Sequence, residues 1–204
     1  MVRRFEAALA QACGTSHAVA VTCGTHALDL LMYAFDVGPG DEVIVPALAW
    51  STTVWPLIQH GLVPVIVDID PETMNVDPNE IERAVGDKTR GIMLVHVYGN
   101  PCDMASIMDI VSRNSLNLVE DCCEALDSYY DGRPVGSFGR VGTFSFYFSH
   151  HITTLEGGMC VTEDGDLAEL MRVLRAPGWV RQTADPEAYA KEFPVFDPRF
   201  LFVN

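Results

Sequence analysis

The amino-acid sequence predicts an α/β protein in which a mainly parallel sheet lies between two layers of helices. Short apolar runs, typical of buried strands, alternate at a steady beat with segments that have helical spacing. Of the 204 residues, 49% are hydrophobic and 20% are charged, which is enough apolar material for a substantial core. Together these observations predict a three-layer αβα architecture.

The predicted strands are short runs rich in Val, Ile and aromatic residues, and turn residues bound most of them. They are HAVAVT (17–22), EVIVP (42–46), PVIVDI (64–69), GIMLVHVY (91–98), LNLVED (116–121), GTFSFYFS (142–149) and GMCVTE (158–163). The predicted helices between them are THALDLLMYAF (25–35), STTVWPLIQHG (51–61), NEIERAVG (79–86), MASIMDIVSRN (104–114) and DLAELMRVLRA (166–176). The last two strands break this rhythm, because only a segment with His150 and His151 separates them.

The pattern divides the chain into two parts. Residues 1–176 follow the strand and helix alternation and are predicted to form one large domain. Residues 177–204 contain many prolines, charges and aromatic residues without a clear period, and we expect an irregular segment there. The chain starts directly in an amphipathic segment and stops at FLFVN in mid-pattern, so we expect it to be a piece of a longer protein.

The charge balance argues against two classes of partner. Lys and Arg number 13 against 28 Asp and Glu, for a net charge of −15, and the sequence has no basic run. Nucleic acid and anionic membranes are therefore not expected to bind. No stretch approaches the roughly 18 apolar residues of a spanning helix, and the first residues show no clear signal-peptide cleavage site. The sequence predicts a cytoplasmic protein.

The cysteine pattern argues against a metal or disulfide framework. The six cysteines are scattered apart from the adjacent Cys122 and Cys123, and no CxxC spacing occurs. Reduced thiols in a core are the favoured interpretation.

Ligands of open α/β sheets bind beyond the carboxyl ends of the strands, so the residues just after each run are the candidates. Cys23–His26 lies at a turn from strand to helix, where Gly24 allows close approach of a phosphate to free N–H groups. An ordinary helix cap by Thr22 or Thr25 is the structural alternative.

Asp121 follows an apolar run and needs a partner for its charge, such as a protonated heterocycle nitrogen. The alternatives are a structural cap, or a metal site with Cys122, Cys123 and Glu124.

Aromatic and imidazole side chains follow two other strands. Trp50 can stack on a planar cofactor or pack in a core or interface, and His96 and Tyr98 have the same ambiguity. For His150 and His151 the readings are a metal pair, a general base or buried structural residues. Adjacent residues point in different directions, which favours one general base with a packing neighbour.

Six ordered segments together resemble a known family. TCGTHALDL, VPALAWSTT, VIVDIDPETMNVDP, VHVYGNPCD, VEDCCEALDS and GTFSFYFSHHITTLEGGMCVT are similar to the DegT/StrS-type sugar-nucleotide aminotransferases across essentially the whole chain. The resemblance implies pyridoxal-phosphate dependence, the aspartate-aminotransferase fold (PLP fold type I) and a homodimer that shares its active sites. It also implies that residues 1–176 are the cofactor-binding large domain and that 177–204 lead toward a missing C-terminal small domain.

The resemblance also implies roles for individual residues. Asp121 corresponds to the aspartate that pairs with the pyridine nitrogen, and Trp50 to the aromatic residue that stacks on the ring. Gly24, Thr25 and Ser145 correspond to the groups that hold the phosphate. Glu124 stands where many members have glutamine or histidine near the phenolic oxygen.

His150 marks a departure from the aminotransferases of the family, which have a lysine there that bonds covalently to pyridoxal phosphate. The chain contains only Lys88 and Lys191, and neither lies in a predicted cofactor-facing segment. A histidine subgroup of the family uses pyridoxamine phosphate to remove the C3 hydroxyl of a nucleotide-linked 4-keto-6-deoxy sugar. The resemblance to it implies that His150 is the base and that glutamate recharges the cofactor.

Some members of that subgroup hold an iron–sulfur cluster on four cysteines. Cys123 lies where the first ligand would be, but Cys160 is the only cysteine after His150, so we expect no cluster. The expected function is a sugar-nucleotide C3 dehydratase of deoxysugar or surface-polysaccharide biosynthesis. The alternatives are a sugar-nucleotide aminotransferase and a non-catalytic cofactor-binding fragment.

Overall fold

The computed structural model describes residues 1–34, 37–176 and 178–192. Its strands are β1 (His17–Val21), β2 (Glu42–Pro46), β3 (Val63–Val67), β4 (Thr89–Val95), β5 (Asn117–Asp121), β6 (Tyr129–Tyr130), β7 (Arg133–Pro134), β8 (Val141–Ser145) and β9 (Gly158–Thr162). Its helices are α1 (Val2–Ala12), α2 (Gly24–Leu30), α3 (Ser51–Gln59), α4 (Pro78–Ala84), α5 (Met104–Asn114), α6 (Gly165–Leu174) and α7 (Pro186–Glu192). Short 3₁₀ turns cover Leu31–Ala34, Val97–Gly99 and Val180–Gln182.

Seven strands form one sheet in the order β1-β9-β8-β5-β4-β2-β3. Neighbouring strands from β8 to β3 pair in parallel, whereas β9 runs antiparallel to both β8 and β1. Strands β6 and β7 form a separate two-stranded ribbon. The carboxyl ends of β1, β2, β3, β4, β5 and β8 therefore meet at one edge of the sheet, which we call the carboxyl edge.

Helices cover both faces of the sheet, because alternate strand residues are buried on opposite sides. On one face, Val119 of β5 packs in a cluster with residues of α2, α3 and α6. On the other face, Leu118 packs with α4 and α5, and a third cluster joins α1 to β8 and β9. The predicted three-layer αβα architecture is confirmed.

All seven predicted strands are present, with ends that differ by a few residues. A strand was predicted over 91–98, but β4 ends at Val95 and the chain turns at Tyr98, whose φ is 53°. β6 and β7 were not predicted, since two residues each are too few to show a period.

Residues 177–204 were expected to be irregular, and the described part of this segment corrects that expectation. It contains a 3₁₀ turn and the helix α7. Seven residues do not span enough turns to show an apolar stripe, which is why the sequence PEAYAKE indicated no helix. Residues 193–204 lie outside the described residues.

The sequence has no apolar stretch long enough for a membrane-spanning helix. Among the residues that the structure describes, no helix combines the length and the apolar character that crossing a bilayer requires.

Candidate cofactor site

The candidate residues lie where the carboxyl edge of the sheet meets the α2 and α3 layer. Asp121 is the last residue of β5 and Ser145 the last of β8. Gly24 is the first residue of α2, and Trp50 immediately precedes α3. The topology therefore places on one edge the segments that the sequence nominated separately.

Asp121 is buried and has hydrogen-bond donors at both carboxylate oxygens. The hydroxyl of Thr53 on α3 donates to Oδ2 at 2.7 Å, and the backbone N–H of Cys123 donates to Oδ1 at 3.1 Å. Asp121 faces the α3 layer because it shares strand parity with Val119. Each oxygen retains acceptor capacity, so the carboxylate can also accept a hydrogen bond from a protonated ring nitrogen.

Gly24 and Ser145 are in close contact. A Cβ added to Gly24 would lie 2.8 Å from Ser145 Cβ and 2.9 Å from its Oγ. No larger residue fits at position 24 without a shift, because the neighbouring atoms belong to a short side chain. The adjacent Thr25 is exposed. Gly24 therefore brings the start of α2 against the end of β8, with the Thr25 side chain next to this contact.

Two aromatic side chains at the carboxyl edge are open to solvent. Trp50 is 76% exposed and Tyr98 is 77% exposed. Glu124 is also exposed, and its Oε2 accepts a hydrogen bond from the backbone N–H of Tyr98 at 3.3 Å. The exposed aromatic rings of Trp50 and Tyr98 can stack against a planar ligand that approaches from solvent.

His150 and His151 lie in the loop that joins β8 to β9, and their surroundings differ. The backbone N–H of His150 donates to the carbonyl of Tyr147 at 3.1 Å, and the two rings form an edge contact with centroids 6.4 Å apart. His150 is half-buried and His151 is exposed. The two histidines are therefore not structurally equivalent.

Both lysines of the chain lie away from Asp121. Lys88 precedes β4, where its carbonyl accepts from the N–H of Glu42 at 2.9 Å, so it is at the opposite edge of the sheet. A strand of this length spans about 20 Å. Lys191 is in α7, whose residues line a cavity with His17 at the start of β1, also on that opposite edge.

The sequence matches the DegT/DnrJ/EryC1/StrS aminotransferase family over residues 1–196. The chain belongs to this family.

Individual relatives of the chain include enzymes of two kinds. The chain is 45% identical over 174 residues to the GDP-perosamine synthase of Caulobacter vibrioides, covering 85% of this chain and 47% of the relative. It is 39% identical over 211 residues to the GDP-4-keto-6-deoxy-D-mannose 3-dehydratase of Yersinia pseudotuberculosis, covering 99% and 53%. The chain thus spans about half the length of the curated relatives it matches.

One solved structure shows the chemistry of the family most directly. A GDP-4-keto-6-deoxymannose-3-dehydratase with a trapped PLP-glutamate geminal diamine superposes with a TM-score of 0.88 at 34% identity, covering 100% of this chain and 55% of that one. The predicted PLP fold type I is therefore confirmed. Members of the DegT/DnrJ/EryC1/StrS family are pyridoxal-phosphate-dependent enzymes.

The residues of this chain fit such a cofactor. A buried carboxylate with spare acceptor capacity can pair with a ring nitrogen, and an exposed indole can stack on the ring. The absence of a side chain at Gly24 lets the start of α2 lie directly against Ser145 at the end of β8, where a Cβ would clash. The roles of Gly24, Thr25, Trp50, Asp121, Glu124 and Ser145 in this DegT/DnrJ/EryC1/StrS chain remain predictions.

The metal alternative involved the cysteines after β5. Burial, followed by the charge of Glu120, raises the pKa of Cys122 well above its usual value. Burial and the charge of Asp121 do the same for the pKa of Cys123. A metal ion bound here would have to displace the protons of both thiols, because the thiolate is the binding form.

Among the described residues, one group of potential ligands is close enough together to hold an ion: His96, Glu120 and Cys122. His96 Nδ1 accepts from the N–H of Cys102, so the proton is on Nε2, which donates to Glu120 at 3.1 Å. The N–H groups of Gly136 and Gly139 also donate to Glu120, each at 2.7 Å. Hydrogen bonds within the protein therefore already satisfy this group without an ion.

The sequence did not single out Thr53 or Glu120. The sequence did contain an indication for Glu120, because it is a charged residue inside the apolar run LNLVED. A buried charge requires buried hydrogen-bond donors. Thr53 had a weaker signal: it lies one helical turn after Trp50, on the same helix face as the buried Pro56 and Leu57. Its partner is 68 positions away, and only the fold brings the two together.

Proposed function

We propose that the chain is the cofactor-binding part of a sugar-nucleotide C3 dehydratase. Its substrate would be a nucleotide-linked 4-keto-6-deoxyhexose, in the biosynthesis of deoxysugars or surface polysaccharides. The observation that carries the proposal is His150 in the β8–β9 loop, together with the placement of both lysines at the opposite edge of the sheet. The similarity to a 3-dehydratase over 99% of the chain supports it.

In this proposal the cofactor is pyridoxamine phosphate, formed from pyridoxal phosphate, which supplies an amino group and an electron-accepting ring. Asp121 accepts a hydrogen bond from the ring nitrogen, and Trp50 stacks on the ring. Gly24, Thr25 and Ser145 hold the phosphate, and Glu124 lies near the phenolic oxygen. Residues 1–176 would be the cofactor-binding domain, followed by 177–204 toward a smaller domain.

His150 has the role of general base. An imidazole can accept a proton and return it to a leaving hydroxyl without a covalent bond to the cofactor, which a lysine amine would form. The ring contact with Tyr147 restricts the orientation of the imidazole. His151 is exposed and is not required to take part in this role.

The test uses the intact protein with pyridoxamine phosphate and a GDP-linked 4-keto-6-deoxyhexose. The expected products are ammonia and a 3-deoxy sugar nucleotide, identified by mass spectrometry. Glutamate would restore the aminated cofactor for further turnovers. Formation of an amino sugar in place of the 3-deoxy product would contradict the proposal.

A sugar-nucleotide aminotransferase is the second candidate, because the chain is also 45% identical to a GDP-perosamine synthase. Borohydride reduction separates the two candidates. A stable pyridoxyl-lysine adduct in the intact protein favours the aminotransferase, whereas cofactor that is removed by dialysis after reduction favours the dehydratase.

The proposed assembly is a homodimer, as the resemblance to the family implies. Light scattering after size-exclusion chromatography of the intact protein tests this proposal. A monomer mass at micromolar concentration would contradict it.

A further inference from the structure

Thr53 places a fully buried hydroxyl inside the helix α3. A threonine within a helix commonly hydrogen-bonds to a carbonyl one turn earlier or faces solvent. Thr53 instead donates to Asp121 Oδ2 at 2.7 Å, across to a different layer of the fold. Burying a hydroxyl without a partner is unfavourable, so this hydrogen bond accounts for a polar side chain at an otherwise apolar position.

The same residue is tied to Trp50 through the first turn of the helix. The backbone N–H of Thr53 donates to the carbonyl of Trp50 at 2.9 Å. Trp50 is the residue immediately before α3 and presents its indole at the carboxyl edge. One helical turn and one side-chain hydrogen bond therefore connect the exposed indole to the buried carboxylate.

The second oxygen of Asp121 has an independent connection. Oδ1 accepts a hydrogen bond from the backbone N–H of Cys123, which lies in the turn immediately after β5. That bond links Asp121 only to its own loop. Thr53 provides the link between Asp121 and the element that carries Trp50.

We propose that Thr53 is a positioning residue that sets the orientation of the Asp121 carboxylate and its placement relative to Trp50. This inference rests on the proposed function, in which Asp121 pairs with the ring nitrogen and Trp50 stacks on the same ring. Thr53 then holds Asp121 and Trp50 in positions from which both side chains contact the same cofactor ring at the same time.

The test compares the Thr53→Val and Thr53→Ser variants of the intact protein with the wild type. Valine has the same shape without the donor, and serine keeps the hydroxyl. We expect Thr53→Val to weaken binding of pyridoxamine phosphate about tenfold, because the carboxylate would no longer be held in the orientation that accepts the ring N–H. We also expect it to change the pH dependence of the bound cofactor's absorption spectrum, and Thr53→Ser to restore both within about twofold.

A matched control separates positioning from general destabilisation. Thr162 is also a buried threonine, and its hydroxyl donates to the carbonyl of Arg140 at 2.6 Å, at the far edge of the sheet. Thr162→Val is expected to leave cofactor affinity and spectrum unchanged. An equal effect of both valine variants, or wild-type affinity and spectrum in Thr53→Val, would overturn the proposal.

Two further variants keep the outcome interpretable. Asp121→Asn tests the proposed function itself: if its affinity and spectrum match the wild type, Asp121 is not the ring partner. If Asp121→Asn changes both and Thr53→Val changes neither, only the positioning role of Thr53 fails. Should Thr53→Val not fold, Thr53→Cys retains a weaker donor and is expected to bind about threefold more weakly; wild-type affinity there overturns the inference.

Discussion

Two adjacent carboxylates at the end of β5 have different surroundings because successive strand residues face opposite sides of the sheet. Asp121 faces α3 and keeps acceptor capacity for a ligand, whereas three donors surround Glu120 on the other side. Glu120 thereby connects His96 after β4 to the turn before β8. Asp121 thus keeps acceptor capacity toward the α3 side, whereas Glu120 links the loops on the other side.

Replacing Glu120 by glutamine tests this structural role. The amide has one acceptor oxygen and would direct its NH₂ group at a buried N–H donor, so we expect the free energy of unfolding to fall by about 3 kcal/mol. Urea denaturation measures this change. Glu163→Gln is the matched control, since Glu163 also accepts two hydrogen bonds but at an exposed site, and we expect it to cost less than about 1 kcal/mol. Equal losses in the two variants would contradict the structural role.

The two neighbouring histidines allow a direct comparison. We expect His150→Asn to reduce turnover of the intact protein by about 10²- to 10⁴-fold, the usual contribution of a general base, with the affinity for pyridoxamine phosphate nearly unchanged. His151→Asn, at the adjacent exposed position, is expected to remain within about threefold of wild-type turnover. Steady-state kinetics measure both. The assignment is wrong if the His151 variant shows the larger loss.

Site residues at strand ends were predictable, whereas their buried partners were not. Asp121 ends the predicted strand 116–121, and the rule for α/β sheets identifies such a position from sequence alone. Ser145 was named only by the family resemblance, because the predicted strand 142–149 extended beyond it, whereas β8 ends at Ser145. Thr53, the side-chain partner of Asp121, and the three donors to Glu120 are 16 to 68 positions away, and no local pattern predicts a contact over that separation. His96 remained ambiguous for the same reason, until Cys102 and Glu120 identified it as a satisfied buried residue.

At the scale of elements, local chemistry determined how accurately each helix was predicted. The helix α5 has the predicted bounds 104–114, because Asp103 caps its start and Ser115 ends it in a left-handed conformation. The helix α7 and the strands β6 and β7 are too short to show a period. Sequence patterns therefore predicted the strands of the large sheet and the helices α2 to α6, and missed the short peripheral elements. The helix α1, which packs against β8 and β9, was indicated only as an amphipathic segment at the start of the chain.

The cap of α5 predicts a dependence of stability on pH. A side-chain hydrogen bond from Ser106 is the main cause that lowers the pKa of Asp103, and the backbone N–H of Ser106 and the hydroxyl of Tyr130 add to it. A lowered folded-state pKa contributes stability above the unfolded pKa of about 3.9, and this stability is lost as pH falls through the folded value.

We expect Asp103→Ala to lower the free energy of unfolding by about 1 kcal/mol near neutral pH, which is typical for loss of a helix cap. The difference from the wild type should shrink below about pH 4, where the wild-type carboxyl is protonated as well. Urea denaturation at several pH values measures this. Asp109→Ala, in an exposed ion pair on the same helix, should cost less than about 0.5 kcal/mol. A difference that stays constant down to pH 2 would contradict the role of the Asp103 charge.

At the scale of the whole molecule, the strand order was not predictable from the order of the strands in sequence. The βαβ alternation predicts a parallel sheet, but it does not predict that β9 inserts between β8 and β1. The sequence contained one indication of this arrangement, because no helix was predicted between the last two strands. A short connection of that kind joins neighbouring strands that run antiparallel. Three-layer packing then follows from apolar residues on both faces of the sheet.

Packing of the three layers predicts which thiols react in the native protein. Burial raises the pKa of Cys13, Cys102 and Cys160 to about 12 in each case, and the Glu120 charge adds to the effect at the first two. Only thiolates react rapidly with iodoacetamide. We expect brief labelling at pH 8 to modify the partly exposed Cys23 first, with these three labelled only after unfolding.

Mass spectrometry of labelled peptides checks this order of reaction. Unfolding in urea provides the matched control, because all of these thiols then become accessible. Native labelling of Cys160 at the rate of Cys23 would contradict the packing.

The loop between β8 and β9 has exposed side chains at Phe148 and Leu155, while its two ends are paired within the sheet. A protease such as chymotrypsin can therefore cut the loop while each new end stays anchored, β8 by β5 and β9 by β1. We expect the nicked protein to elute and melt much like the intact one, and to lack the turnover that the proposed role of His150 in this loop would provide. A single backbone cleavage in this loop would thus abolish the proposed activity and leave the sheet folded.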